Sequence, residues 1–94
     1  MADKRYVISI DSGTQNIKAI LFDRQGTELA IAQAAHDPYF SDHPGWAEQR
    51  PENYWANLCL VTGSLMKKVH IDPKEIAGVG ITTQRGTFVP VDRQ

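Results

Sequence analysis

Residues 6–23 read YVISIDSGTQNIKAILFD. Two runs of apolar and β-branched residues flank Asp11, Ser12, Gly13, Thr14, Gln15 and Asn16. A tight reversal between strands needs only about two residues, so the surplus of carboxylate, hydroxyl and amide groups calls for a further explanation. In residues 5–11, Tyr6, Ile8 and Ile10 alternate with Val7, Ser9 and Asp11, which predicts a strand ending at Asp11. Residues 17–23 (IKAILFD) are nearly continuous in apolar side chains apart from Lys18. That pattern predicts a central strand covered on both faces.

Working outward, DRQG at 23–26 carries turn chemistry with Gly26 free to take a positive φ, and TELAIAQAA at 27–35 reads as a third strand. Three strands joined by short links make an antiparallel meander. Residues 36–50 hold two prolines, a glycine and no sustained period, so a long irregular surface connection is expected there. Pro51 suits the first position of a helix, with Glu52 near the positive end of its dipole. Tyr54, Leu58, Val61, Leu65 and Val69, flanked by Trp55, Cys59, Thr62 and Met66, give that helix one broad apolar face. Lys67, Lys68 and His70 suit its carboxyl end.

Residues 76–84 (IAGVGITTQ) predict another strand, with Gly78 and Gly80 allowing a neighbour to approach closely. TFVPVD at 87–92 predicts a strand confined by Pro90 to an edge or a bulge. The last residues, 92–94, fall in what reads as the next turn, as expected of a piece of a longer chain. The expected class is α/β: a three-stranded antiparallel meander, a crossover helix, a further parallel strand and an edge strand, forming one incomplete domain over 1–94. Such a sheet normally needs more helices to cover both faces. Its open edges are expected to pair between chains, giving a homo-oligomer.

Ninety-four residues suit one small domain or part of a larger one. The composition is that of an ordinary globular protein, 41% hydrophobic and 22% charged with net charge −1, and it points to neither nucleic acid nor membrane as a partner. MADKRYVISI is basic, but its apolar run is too short for a secretory signal or a span, so a cytoplasmic location is expected. Cys59 is the one cysteine and has no partner for an internal disulfide. His36, His43 and His70 lie far apart and are expected to be solvated, not ligands.

The stretch from 11 to 18 supplies the parts of a phosphate site. Backbone N–H groups in a glycine turn hold phosphate oxygens, hydroxyls assist, a carboxylate holds magnesium and a lysine offsets the remaining charge. Asp11 can bind Mg²⁺ directly or through its waters. Gly13 lets the backbone approach, Thr14 and Gln15 can hydrogen-bond to phosphate, and Lys18 can reach back as a point charge. The plainer alternative is a hairpin whose Asp, Ser, Thr and Asn side chains bond to their own backbone. A D-x-G-T match alone is weak. Its place between the first two strands of a meander that feeds a crossover helix is far more specific.

IDSGTQNIKAILFDRQGTELA, HPGWAEQRPENYW and IAGVGITTQRGTFVPVD together resemble the amino-terminal part of the FGGY carbohydrate kinases. The three blocks cover nearly the whole chain. The resemblance implies a ribonuclease H-like, actin-like ATPase fold and transfer of the γ-phosphoryl group of ATP, with Mg²⁺, to a hydroxyl of a sugar or polyol. It implies that Asp11 is the metal-side carboxylate and that Gly13, Thr14, Gln15 and Lys18 line the first phosphate-binding hairpin. It also implies that the second phosphate loop, the adenosine pocket and the aspartate acting as base lie in later segments, so these 94 residues alone are not expected to be a working kinase.

Within TTQRG, Gln84 and Arg85 stand at the end of a strand, where open α/β sheets place ligand contacts. Their amide and guanidinium suit sugar or polyol hydroxyls, and the alternative for Arg85 is a surface charge. Glycerol kinases carry a glutamate after the corresponding arginine and xylulokinases a methionine and histidine pair, whereas Gly86 stands here. The resemblance therefore selects neither glycerol nor xylulose. Trp46, in the PGWAE run, is expected to cap the helix–sheet core, and Tyr54 and Trp55 to be core. Arg50 replaces the family's Asp or Asn cap, so the helix start is expected to be weaker by about 1 kcal/mol. A non-catalytic, chaperone-type member of the actin-like group would lack the PGW and TTQRG blocks. Ribonuclease H-like nuclease chemistry would need more carboxylates and a basic face.

Overall fold

A computed structural model describes residues 4–38, 40–83 and 92–93. Strands β1 (Tyr6–Ser12), β2 (Asn16–Phe22) and β3 (Glu28–Ala35) form the antiparallel meander, helix α1 (Pro51–Lys68) crosses over, and β4 (Ile76–Thr83) follows. The sheet order is β3-β2-β1-β4, with β4 parallel to β1. A short 3₁₀ turn, Pro73–Glu75, leads into β4 through a capping box between Asp72 and Glu75. The strand expected over 87–92 lies outside the described residues except for Asp92, which is not in a strand. Gln84, Arg85 and Gly86 lie outside them too.

One face of the sheet holds the core. Ile8 and Ile10 from β1, Ile17, Ala19 and Leu21 from β2, and Ala32 from β3 are buried with Val61 and Leu65 of α1. Ala19 and Ala32 are cross-strand partners, and two short side chains at that point leave room for the helix to seat closely. The helix face is narrower than its sequence suggests. Trp55 is 68% exposed and Leu60 60% exposed, so neither belongs to the core. β2 is likewise covered on one face only, since burial alternates along it. Its apolar run comes from a strand with half-exposed Ile20 and Phe22 on the open face.

Turn chemistry accounts for the β2–β3 link. Asp23 Oδ1 accepts from the backbone N–H of Gln25 and of Thr27, both at 2.9 Å, and Gly26 has φ 83°. Among the described residues, a Cβ at Gly78 or Gly80 would meet nothing within 4 Å, so no close approach is seen at either. The connection from 36 to 50 folds back on itself: Phe40 and Glu48 exchange backbone bonds of 2.9 and 2.8 Å around Gly45 at φ 85°. Arg50 is the helix N-cap and makes no side-chain capping bond. Its guanidinium lies over the Phe40 ring, 4.9 Å from the centroid.

A buried polar group ties this connection to α1. Asn57 is 9% exposed; its Nδ2 donates to Ala35 O at 3.1 Å and meets His36 Nδ1 at 2.9 Å. His36 is 7% exposed, so it is a packed residue and not the solvated one its surroundings in sequence suggest. Replacing Asn57 by leucine leaves Ala35 O and the imidazole without partners, and a loss of about 2 kcal/mol is expected in chemical unfolding. Two glycine substitutions should move in opposite directions. Gly26→Ala is expected to destabilise by about 1 kcal/mol, because its φ is positive. Gly63→Ala is expected to stabilise by up to about 1 kcal/mol, because Gly63 is inside α1 and, among the described residues, a Cβ there meets nothing within 4 Å. Thermal melts of the two variants check both signs.

Candidate phosphate-binding hairpin

β1 ends at Ser12 and β2 begins at Asn16. The Gly13 N–H donates to Asn16 O at 2.9 Å, closing a hairpin with Thr14 and Gln15 as its two-residue tip. Glycine at 13 is favoured by space and not by φ: a Cβ there would stand 3.3 Å from Asn16 O, a tight contact. The Gly13 amide is thus engaged inside the hairpin. Among the described residues, the N–H groups of Thr14 and Gln15 have no partner, and both residues are exposed. No side chain from 11 to 16 bonds to the tip's own backbone among the described residues. The Asp23 turn shows what such self-capping looks like in this chain, and among the described residues Thr14 and Gln15 have none.

Register decides what flanks the tip. Asp11 pairs with Lys18 across β1 and β2 and with Thr82 across β1 and β4. Side chains of a strand alternate faces, and Ile10 and Ile17 point into the core, so Asp11, Lys18 and Thr82 share the open face. Asp11 is exposed, and its Oδ1 accepts from Thr82 Oγ1 at 3.2 Å. One negative and one positive group thus stand side by side near the hairpin end of each strand, next to a tip whose two amides have no partner among the described residues, an arrangement able to bind an anion together with a cation.

A hard divalent cation fits this donor set in one way. Among the described residues no three of His, Cys, Asp and Glu gather as a ligand cluster, so Asp11 would act alone or through waters. Magnesium would suit such a donor set, since one or two carboxylates commonly suffice to hold it.

Behind the tip lies a cleft of about 320 Å³ lined by Thr14, Gln15, His36, Asp37, Pro38 and Gln49. Gln49 Nε2 donates to Thr14 O at 2.8 Å, and the His36 N–H donates to Gln15 O at 2.9 Å. Tyr54 Oη donates to Gln49 Oε1, and its ring meets that of His36 edge-on at 4.9 Å. Gln49, His36 and Asn57 were not among the site residues expected from sequence. Tyr54, expected to be plain core, uses its hydroxyl here. Trp46 is 58% exposed and packs against His43, 4.3 Å between ring centroids, so it does not cap the core. Trp55 instead borders an apolar groove of about 290 Å³ between α1 and β4, with Ile10, Ile17, Tyr54, Leu58 and Ile81.

With this geometry in view, the likenesses to known proteins agree with one another. Residues 6–94 match the model of the FGGY family of carbohydrate kinases, N-terminal domain. The glycerol kinase of Carboxydothermus hydrogenoformans is 41% identical over 90 residues, covering 96% of this chain and 18% of that protein. The glycerol kinase of Limosilactobacillus reuteri is 41% identical over 93 residues, covering 99% of this chain and again 18% of its own length. The xylulose kinase of Rhodospirillum rubrum superposes with a TM-score of 0.77 at 32% identity, over 86% of this chain and 16% of that one. The Plasmodium falciparum glycerol kinase, solved with ADP, gives 0.72 at 25% identity, over 93% and 17%. The chain spans less than a fifth of the length of these relatives. It belongs to the FGGY family of carbohydrate kinases and carries the actin-like α/β fold of that family's N-terminal domain.

Proposed function

We propose that the protein containing these residues transfers the γ-phosphoryl group of ATP to a hydroxyl of a sugar or polyol, and that the 11–18 hairpin holds the phosphate chain. The observation that carries this reading is the two-residue tip, with the amides of Thr14 and Gln15 unengaged among the described residues above the Asp11–Lys18 pair. In the reaction the acceptor oxygen forms a bond to the γ-phosphorus, the bond from that phosphorus to the β–γ bridging oxygen breaks, and the hydroxyl proton passes to a base. Catalysis of this kind is mostly positioning and charge stabilisation. The Thr14 and Gln15 amides and the Thr14 hydroxyl bind phosphate oxygens, Lys18 adds a positive charge, and Asp11 holds Mg²⁺ through its exposed carboxylate. Magnesium supplies neutralisation of the charge that develops on the leaving phosphate.

Gln84 and Arg85 complete the reading on the acceptor side, as the amide and guanidinium that bond substrate hydroxyls; both lie outside the described residues. The family includes proteins named for glycerol, xylulose and gluconate, and the acceptor proposed here is a small polyhydroxyl compound of that range. A cytoplasmic location and a homo-oligomeric state belong to the same proposal. Among the described residues no helix is long and apolar enough to cross a membrane.

Screening the full-length gene product with ATP, Mg²⁺ and a panel of polyols, pentoses, hexoses and sugar acids is expected to give phosphorylation of at least one acceptor. Failure with every acceptor, by a folded protein, overturns the proposal. In the active protein, Asp11→Asn is expected to lower turnover at least tenfold, of order 1.4 kcal/mol or more in the barrier. Turnover equal to wild type would remove Asp11 from the metal-side role. The 94-residue chain by itself is expected to bind Mg²⁺·ATP weakly, with a dissociation constant of about 1 mM or above by calorimetry. Among the described residues the hairpin supplies two unengaged amides, and micromolar binding would show that it suffices alone.

A further inference from the structure

The tip of the hairpin is held from behind, and the hold has a direction. Neither Thr14 nor Gln15 has a positive φ, so this is not the mirror-image turn whose twist suits a two-residue hairpin. Such a turn matches the twist of the flanking strands less well, and groups from outside the hairpin hold it. Gln49 Nε2 donates to Thr14 O, and Gln49 Oε1 accepts from the Tyr54 hydroxyl on α1. These two bonds determine which end of the amide faces the hairpin, because only the nitrogen end can donate to a carbonyl.

The Thr14 carbonyl and the Gln15 N–H belong to one planar trans peptide, in which C=O and N–H point in opposite directions. Drawing Thr14 O toward Gln49 therefore turns the Gln15 N–H away from the cleft and out of the hairpin's back. The neighbouring carbonyl, Gln15 O, is drawn the same way by the His36 N–H. Without the Gln49 bond the Thr14–Gln15 peptide is free to flip, and a flipped peptide presents a carbonyl oxygen where an anion would sit.

We propose that Gln49, held by Tyr54, is a positioning residue that orients the Thr14–Gln15 peptide so that the Gln15 N–H faces the phosphate chain. This rests on the hairpin being the phosphate site, as proposed above. The residue touches neither substrate nor metal in this account. It acts across 35 positions of sequence, linking the crossover helix to the hairpin.

The test uses the full-length gene product and three variants. Gln49→Ala removes both bonds. Gln49→Glu keeps the size and the acceptor for Tyr54 but sets a carboxylate oxygen against Thr14 O. Tyr54→Phe frees the glutamine amide to rotate. Calorimetry with ADP is expected to show affinity three- to tenfold weaker in Gln49→Ala, at least as weak in Gln49→Glu, and intermediate in Tyr54→Phe, on the order of one lost hydrogen bond. The KM for ATP is expected to rise with it while the KM for the hydroxyl acceptor stays at the wild-type value. A structural role alone would lower the melting temperature without separating nucleotide from acceptor. ADP affinity equal to wild type in both Gln49 variants overturns the proposal. If wild-type protein binds no ADP, the phosphate-site reading itself falls, a failure told apart by appearing before any substitution is made.

Discussion

The bond from the Gly13 N–H to Asn16 O sets the register of β1 against β2, and the rest of the molecule depends on that register. It places Ile10 opposite Ala19 and Ser12 opposite Ile17, and it places Asp11 opposite Lys18. Side chains along a strand alternate with a period of two. A slip by one residue would therefore drive Asp11 or Lys18 into the apolar layer under Val61 and Leu65 and expose Ile10 or Ile17. The buried face thus enforces the alignment of the charged face. Stability and the candidate site share one cause, the fit of α1 against the isoleucines, alanines and leucine of the first three strands.

The connection from 36 to 50 takes part in that arrangement. It runs from the end of β3 to the start of α1, past the back of the hairpin, and is closed on itself by the Phe40–Glu48 bridge. His36 at one end and Gln49 at the other bond to adjacent carbonyls of the tip. Asn57 and Tyr54, three residues apart on α1, bond to the two in turn. A helix face thus holds a loop, and the loop holds a turn whose own backbone angles are not the ones a two-residue hairpin favours.

Much of this was legible in the sequence. Alternation at Tyr6, Ile8 and Ile10 located β1, Gly26 marked a turn with positive φ, and Pro51 marked the helix start. The excess polar residues at 11–16 singled out the hairpin because no fold requirement accounts for them. What escaped depends on contacts between distant residues. Nothing local distinguishes His36 from the solvated His43, since its burial comes from Tyr54 and Asn57 on a helix formed later in the chain. Gln49 sits in a polar run and gains its role only from a carbonyl 35 residues earlier. The two tryptophans failed in the opposite sense. Apolar character suggested core for both, yet Trp46 packs on His43 and Trp55 borders a groove between α1 and β4. At Gly13 the visible reason for glycine is the space beside Asn16 O, and its amide is already bonded within the hairpin.

Where a nucleotide's phosphates lie decides whether the hairpin is the phosphate site. A crystal structure of the full-length gene product with a non-hydrolysable ATP analogue, grown with Mn²⁺ so that anomalous scattering marks the ion, tests this directly. The account predicts phosphate oxygens within hydrogen-bonding distance of the Thr14 and Gln15 amides and the manganese peak on the Asp11 side of the sheet, bound to its carboxylate or through one water. Phosphates seated elsewhere, with the tip bare and no metal near Asp11, would contradict it.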